Sequence, residues 1–378
     1  MTAAGIDPRL IAVSAEIPRS EYSTEELIAA GRGHLSDKLV ATLGRLGIEK
    51  RYSVLTNYPD VLFRGAEPEL DIAATDLAVA AARKCLAKAD IPVGAVGLVL
   101  GVTSSPGRLM PSLACDMIAR MPELPRTVPS LSIEYMGCSA MAKVVDTARW
   151  FLTCNPGRRV LVCFMEAVTP VSPLLLGFYS HFSELGPDEH QDTVNVLHGF
   201  LFADAAVAMV LGAEGGGPWF GPVANLTNEL AQDAELGTVP DGGSDIPVVQ
   251  GRRRLTLSSD IPPRGAFYAA ETVRMVLDDE SCELAKPADA SMLLMHTGSP
   301  RILDALCAEF GVDNGGEMVA SSYRVLRDYG NTLGCSVPLM VAEPVRRAAG
   351  QGLLVAFGLS FSCGAFTMTI PDGGWTPQ

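Results

Sequence analysis

Cys138 stands in Ser132-Ile133-Glu134-Tyr135-Met136-Gly137-Cys138-Ser139-Ala140-Met141, where an apolar, β-prone run from Val128 to Tyr135 stops at Met136-Gly137. A helix-like run, Ala140 to Leu152, begins at once after it. The spacing puts the cysteine on the first turn of that helix, among unpaired N–H groups and at the positive end of the helix dipole. Both favour thiolate over thiol, and the thiolate is the nucleophile. A buried, inert thiol is the competing role. His296 follows Met292-Leu293-Leu294-Met295 and precedes a helical stretch, Pro300 to Phe310. Asn331 lies in Tyr329-Gly330-Asn331-Thr332, ahead of a helix expected over Val337 to Ala348. Taken singly, the histidine reads as a structural imidazole bonded to backbone and the asparagine as an N-cap. Taken together the three make a reaction. A thiolate can accept an acyl group from a thioester. An imidazole and a carboxamide can donate to one carbonyl oxygen, and Asn, having no basic group, could serve only as a donor. If that second thioester loses CO2, the donors stabilise the enolate oxygen, each by roughly 3 kcal/mol. The enolate carbon then attacks the acyl-cysteine.

Strand-like and helix-like runs alternate along the whole chain. A helix over 73–87 leads to the strand Val96 to Val102, and the helix from Ala140 leads through Asn155-Pro156-Gly157 to the strand Val160 to Phe164. Near-continuous Val/Leu runs of this kind predict strands buried on both faces, with helices packed outside. The pattern also repeats. A helix from Ala266 to Leu277 and a strand ending at His296 echo the first pair, and Gly334-Cys335-Ser336 echoes Gly137-Cys138-Ser139. Two α/β halves, 1–214 and 215–378, are expected to meet at Gly215-Gly216-Gly217-Pro218. Cys138, His296 and Asn331 then fall at strand ends and helix starts, where parallel α/β architectures place their chemistry.

The totals narrow the class. Among 378 residues, 48% are hydrophobic and 19% charged, which supports a large core and argues against disorder. A net charge of −14 disfavours a general nucleic-acid role. Nine cysteines without C-x-x-C spacing, and five histidines forming no zinc pattern with them, predict a reduced, cytoplasmic protein without a metal site. The segment Gly352 to Ile370 carries no charge, but its Gly and Ser residues predict two buried strands around a loop rather than a membrane span.

Nearly the whole chain resembles the thiolase-fold condensing enzymes, in the branch holding 3-oxoacyl-acyl-carrier-protein synthase III and the type III polyketide synthases. The blocks that carry the likeness, in order, are Phe164-Met165-Glu166, Leu201-Phe202-Ala203-Asp204-Ala205-Ala206, His296 with Pro300-Arg301-Ile302-Leu303-Asp304, and Tyr329-Gly330-Asn331-Thr332 through Ser336-Val337-Pro338-Leu339. The resemblance implies the thiolase fold, with duplicated halves in five α-β-α-β-α layers. It implies Cys138 as nucleophile, His296 and Asn331 as the pair that activates the extender, and an oxyanion hole from the Cys138 N–H and a residue within Gly358-Leu359-Ser360-Phe361-Ser362. It further implies coenzyme A binding by Lys38 and Arg45, ahead of Lys50-Arg51-Tyr52, with Ala41 at a third, unmatched position. Met110 matches a methionine inserted into a partner subunit, hence a homodimer. Leu257 and Ser172 stand where plant chalcone-type enzymes place gatekeeping phenylalanines, and Val171 to Asn195, with Phe178, Tyr179, His181 and Phe182, would cap the pocket. No permanently bound cofactor is expected. Acyl-coenzyme A or phosphopantetheine thioesters would be substrates, and Arg252-Arg253-Arg254 could meet an acyl carrier protein or remain a solvated face.

Three functions follow. One is a ketosynthase-type acyltransferase performing decarboxylative Claisen condensation in polyketide or other secondary-metabolite synthesis. Another keeps the acyl-cysteine but passes the group to an oxygen or nitrogen nucleophile, or to a β-keto thioester, with Glu134 or Glu184 as a base. A non-catalytic partner subunit is the third, disfavoured by the presence of Cys138 with both partner residues.

Overall fold

A computed structural model describes residues 5–180, 187–247, 255–296, 298–359 and 361–377, with only the backbone of 187–190. The apolar runs are its strands: β1 (Arg9–Glu16), β2 (Val96–Ser105), β3 (Ser130–Glu134), β4 (Arg159–Glu166), β5 (Ala205–Gly212), β6 (Trp219–Thr227), β7 (Leu293–Met295), β8 (Gly350–Gly358) and β9 (Ser362–Ile370). Among the described residues they lie in the order β7-β8-β9-β6-β1-β5-β4-β2-β3. The order is a duplication. β2 runs parallel to β4, β4 antiparallel to β5 and β5 antiparallel to β1. In the same way β7 runs parallel to β8, β8 antiparallel to β9 and β9 antiparallel to β6. The two sets join at one pairing, Arg9 with Trp219. β3, parallel to β2, has no counterpart and forms an edge.

Four helices complete the two copies: α1 (Ala74–Ala89), α2 (Ala140–Cys154), α3 (Ile261–Leu277) and α4 (Ser336–Ala342). Strand alternation sorts them into layers. Val160, Val162 and Phe164 of β4 share a core with Leu354 and Ala356 of β8, with α2 and α4 between them. Leu161 and Cys163 face the other way, onto Ala78, Ala82 and Cys85 of α1. Leu353, Val355 and Phe357 likewise face Tyr268, Ala269 and Val273 of α3. The result is helix, sheet, helix, sheet, helix: the thiolase fold expected from the resemblance. A buried Phe such as Phe164, 0% exposed, stabilises this stack by about 3–5 kcal/mol relative to Ala.

Most elements lie where the sequence places them, and one does not. The helix expected over Val337 to Ala348 stops at Ala342. Pro344 forces the residue before it out of the helical region, and Glu343 is extended, with ψ 133°. The uncharged 352–370 segment is a β-hairpin, paired from Gly350–Ile370 to Gly358–Ser362. Among the described residues no helix is long and apolar enough to cross a membrane.

Candidate active site

The chain after β3 must turn sharply to enter α2. Tyr135 (φ 59°) and Gly137 (φ 56°) both take left-handed backbone, which costs Tyr135 on the order of 1 kcal/mol and Gly137 nothing. The turn is pinned: Tyr135 N–H donates to Thr103 O at 3.0 Å and Gly137 N–H to Ser104 Oγ at 2.9 Å. Cys138 then sits in a 3-10 turn, Gly137–Ser139, immediately ahead of α2 rather than within its first α-helical turn. It is buried, 5% exposed. The loop after β8 closes over it. A Cβ on Gly358 would lie 2.7 Å from Cys138 N and 3.0 Å from Met136 O, so only glycine permits this approach.

Asn331 is held by the block that precedes β5. Its N–H donates to Leu201 O at 2.9 Å, its carbonyl accepts from Ala203 N–H at 3.0 Å, and it pairs with Phe202. Its side-chain Oδ1 accepts the N–H of Leu333 at 2.9 Å. The carboxamide therefore caps the following turn with its oxygen and keeps its Nδ2 donors for something else, so capping and donation are compatible. That turn, Leu333–Cys335, packs on the Cys138 turn: a Cβ on Gly334 would lie 3.5 Å from Gly137 O.

His296 ends β7, its N–H donating to Val355 O of β8 at 3.0 Å. Its ring meets the edge of Phe357, centroids 6.4 Å apart, and Phe357 precedes the Gly358 that covers Cys138. The imidazole is 4% exposed, and its Nδ1 is buried without a hydrogen-bond partner among the described residues. Cys138 follows β3, His296 ends β7 beside β8, and Asn331 lies beside Phe202 ahead of β5; Gly358 of β8 links the Cys138 turn to the strand beside His296, and Gly334 links it to the turn after Asn331.

Electrostatics revise one expectation. Burial, reinforced by the Glu166 carboxylate, pushes the Cys138 thiol well above its ordinary range, against a weaker backbone N–H contribution. The helix start does not make a resting thiolate, because desolvation of a buried anion outweighs it. Burial also holds His296 down to about 3, so its imidazole is neutral at physiological pH. Glu166 was visible in sequence only as part of a block. It ends β4 and accepts from Ser104 N–H at 3.1 Å, Ser105 Oγ–H at 2.6 Å and Gly334 N–H at 3.3 Å, tying both halves together behind the nucleophile. Burial raises it to about 7 despite those bonds. The signal for it was a charged residue closing an otherwise apolar strand. Cys335 occupies the turn equivalent to that of Cys138 and is 0% exposed, its thiol donating to Ala205 O at 3.3 Å.

Other expected positions divide. Leu257 joins Val168, Val194, Phe202, Leu255, Leu333 and Leu359 in an apolar cluster beside Asn331. Ser172 is 0% exposed, and its hydroxyl meets Tyr58 Oη at 3.2 Å and donates to Val168 O at 3.4 Å. The backbone neighbour of Asn331 is Phe202, itself a member of that apolar cluster. Lys38 and Arg45 lie exposed on and just after the helix Asp37–Leu43. Gly47 beyond them abuts Pro300, at the start of the helix that follows His296. Met110 is 83% exposed and its neighbour Leu109 56%. Glu134 accepts the Leu113 N–H at 3.4 Å. Of the expected cap, Tyr179 packs against the His34 segment and Phe178 is exposed. His181, Phe182, Glu184, Arg252, Arg253, Arg254 and Ser360 lie outside the described residues.

Residues 283–370, which include His296 and Asn331, match the family described as 3-oxoacyl-[acyl-carrier-protein] synthase III C terminal. The chain is 27% identical to bisdemethoxycurcumin synthase of Oryza sativa subsp. japonica, over 86% of this chain and 81% of that one. It is 26% identical to β-ketoacyl-[acyl-carrier-protein] synthase III of Rhodopirellula baltica, over 94% and 96%. Among solved structures, the C-terminal type III polyketide synthase domain of Steely1 from Dictyostelium aligns with a TM-score of 0.78 at 19% identity, covering 96% of this chain and 99% of that one. Fold, C-terminal match and full-length relatives agree: the chain is a thiolase-fold protein resembling the condensing enzymes represented by 3-oxoacyl-acyl-carrier-protein synthase III and the type III polyketide synthases.

Proposed function

We propose that the protein is an acyltransferase that forms a carbon–carbon bond from two thioesters, as a ketosynthase does. The Sγ of Cys138 attacks an acyl thioester. A new C–S bond forms, the old one breaks, and the released thiol carries away the Cys138 proton. Because the resting thiol and imidazole are both neutral, His296 acts as a hydrogen-bond donor rather than as half of a standing ion pair. A malonyl thioester then places its carbonyl oxygen between His296 and Asn331 Nδ2. Its carboxylate leaves as CO2, and the electron pair becomes an enolate that those donors stabilise. The enolate carbon attacks the acyl carbonyl, the C–Sγ bond breaks, and Sγ leaves as thiolate and takes a proton from water to restore the resting thiol. The observation that carries this reading is the Asn331 carboxamide, whose oxygen is fixed on Leu333 N–H while its Nδ2 has no partner among the described residues, in a turn packed on Gly137 beside Cys138.

Lys38 and Arg45 would hold the phosphates of coenzyme A, since their helix leads to the element that follows His296. A carrier-protein thioester is the alternative donor, as the name of the Rhodopirellula relative suggests. A second copy of the chain would cover β3 and the exposed Leu109, Met110 and Leu131. Polyketide or related secondary metabolism fits the mixture of relatives. The test is intact-protein mass spectrometry with acyl-coenzyme A thioesters, run beside CO2 release from carboxyl-labelled malonyl thioester. An adduct lost in Cys138→Ala, with CO2 release, is expected. An adduct without CO2 release would favour transfer to another nucleophile, and no wild-type adduct would refute the acyl-enzyme.

A further inference from the structure

We propose that Lys143 is a positioning residue for acylation: through Ser139 and Ser362 it clamps the loop between β8 and β9 onto the nucleophile turn. This rests on the acyl-enzyme reading above. The Ser139 hydroxyl donates to Met136 O at 3.1 Å. With its one proton so used, it accepts from Lys143 Nζ at 3.1 Å and from the Ser362 hydroxyl at 2.5 Å. Ser362 pairs with Gly358 across the hairpin, so the two are the feet of the loop. One foot, Gly358, lies against Cys138 N. The other is tied to the residue after Cys138. Phe361, next to Ser362, is strained at φ 42°, and strained backbone persists only where its surroundings hold it.

Lys143 is an expensive way to satisfy one serine. It lies near the N-terminus of α2, where a cation opposes the helix dipole, and the first turn holds no acid to offset it. Burial pulls its ammonium below the ordinary lysine range, with Cys363 and Asp146 exerting smaller opposite effects. Asp146 is already engaged by Asn225 Nδ2 at 2.9 Å and faces Arg149 at 3.7 Å. Among the described residues, the hydrogen bond of Lys143 Nζ is the one to Ser139, and that bond leads to Ser362 at the foot of the hairpin. The loop borders the Cys138 N–H, hence the acyl carbonyl during thioester exchange. The His296–Asn331 pair, proposed to serve decarboxylation, meets this end of the hairpin only through the Phe357 ring and the cluster holding Leu359, not through these hydrogen bonds. Lys143 should therefore matter far more to acylation than to decarboxylation.

The experiment measures both in Lys143→Met, Ser362→Ala, the double variant and Ser362→Thr. Acylation of Cys138 by hexanoyl-coenzyme A is followed by intact-protein mass spectrometry, and CO2 release from malonyl-coenzyme A alone is measured in parallel. Lys143→Met and Ser362→Ala should each slow acylation about 100-fold, the cost of a misplacement near 1 Å. The double variant should be no slower than either single one, because the bonds act in series. Ser362→Thr, which keeps the hydroxyl, should recover most of the rate, and CO2 release should stay within about threefold of wild type. Acylation at the wild-type rate in Lys143→Met overturns the proposal. So does an equal fall in both half-reactions, which would mark general damage. A wild-type protein that forms no adduct refutes instead the underlying acyl-enzyme.

Discussion

Asn331→Asp is the sharpest perturbation of the proposed reaction, because it changes one atom's role and little else. The carboxylate keeps an oxygen for Leu333 N–H, now at 2.9 Å from Oδ1, so the turn should hold. What is lost is the Nδ2 donor. Removing one oxyanion donor costs about 100- to 1000-fold. A carboxylate about 4 Å from a developing enolate oxygen adds about 4 kcal/mol at an effective dielectric near 20. The Leu333 N–H favours the ionised form while burial opposes it, so the assay belongs at pH 8, where ionisation is most complete. CO2 release from malonyl-coenzyme A should then fall by at least about 1000-fold, while acylation of Cys138 stays within a few-fold. Asn331→Ala removes donor and cap together. It should show a similar loss of CO2 release and, in addition, about 1 kcal/mol of lost stability from the stranded Leu333 N–H. CO2 release within about tenfold of wild type in both variants would refute the assigned role of the carboxamide.

Other consequences are as direct. Gly358→Ala places a Cβ 2.7 Å from Cys138 N, a backbone atom that cannot step aside, and should slow acylation at least tenfold and cost about 1–3 kcal/mol by thermal melt. Burial raises Glu166 to about 7 from the 4.5 of a free glutamate, so the folded state holds its proton longer than the unfolded chain. Stability from this group is therefore full below pH 4.5 and lost as pH rises through 7, roughly 3 kcal/mol in all, and Glu166→Gln should flatten the fall in Tm between pH 5 and 8. Lys38→Glu with Arg45→Glu should raise KM for coenzyme A thioesters about tenfold, with kcat held, and leave N-acetylcysteamine thioesters unaffected, as surface charge on a phosphate is worth about 1 kcal/mol. Leu131→Lys on the edge strand should move the sedimentation profile toward monomer if β3 is covered by a second copy.

The layers were legible in the sequence because a strand buried on both faces is mostly apolar, as β4, β5, β8 and β9 are. Cys138 and His296 stand out as candidates because each follows a β-prone run, and Asn331 because it follows Gly330 ahead of a helix. What a side chain meets depends on packing between distant segments. Ser172 and Phe202 lie in equally suggestive blocks, and only the folded chain brings the Ser172 hydroxyl to Tyr58 and the Phe202 backbone to Asn331. The state of the Cys138 thiol was misjudged for a similar reason: a helix start is local, whereas burial and the Glu166 carboxylate arrive from distant segments. Lys143 carries no signal in the sequence, because only folding brings Ser362, far along the chain, beside Ser139.

The turn around Cys335 gives the molecule an internal comparison. One pattern is written twice, Gly-Cys-Ser at the head of a helix in each copy, and among the described residues Gly358 lies against the Cys138 turn. Its twin, Cys335, is sealed beneath the strand that carries Ala205 and spends its thiol proton on that carbonyl. Sulfur at a helix head is thus common property of both copies, and what separates them is the surroundings each is given: a bond that occupies one, a glycine edge beside the other.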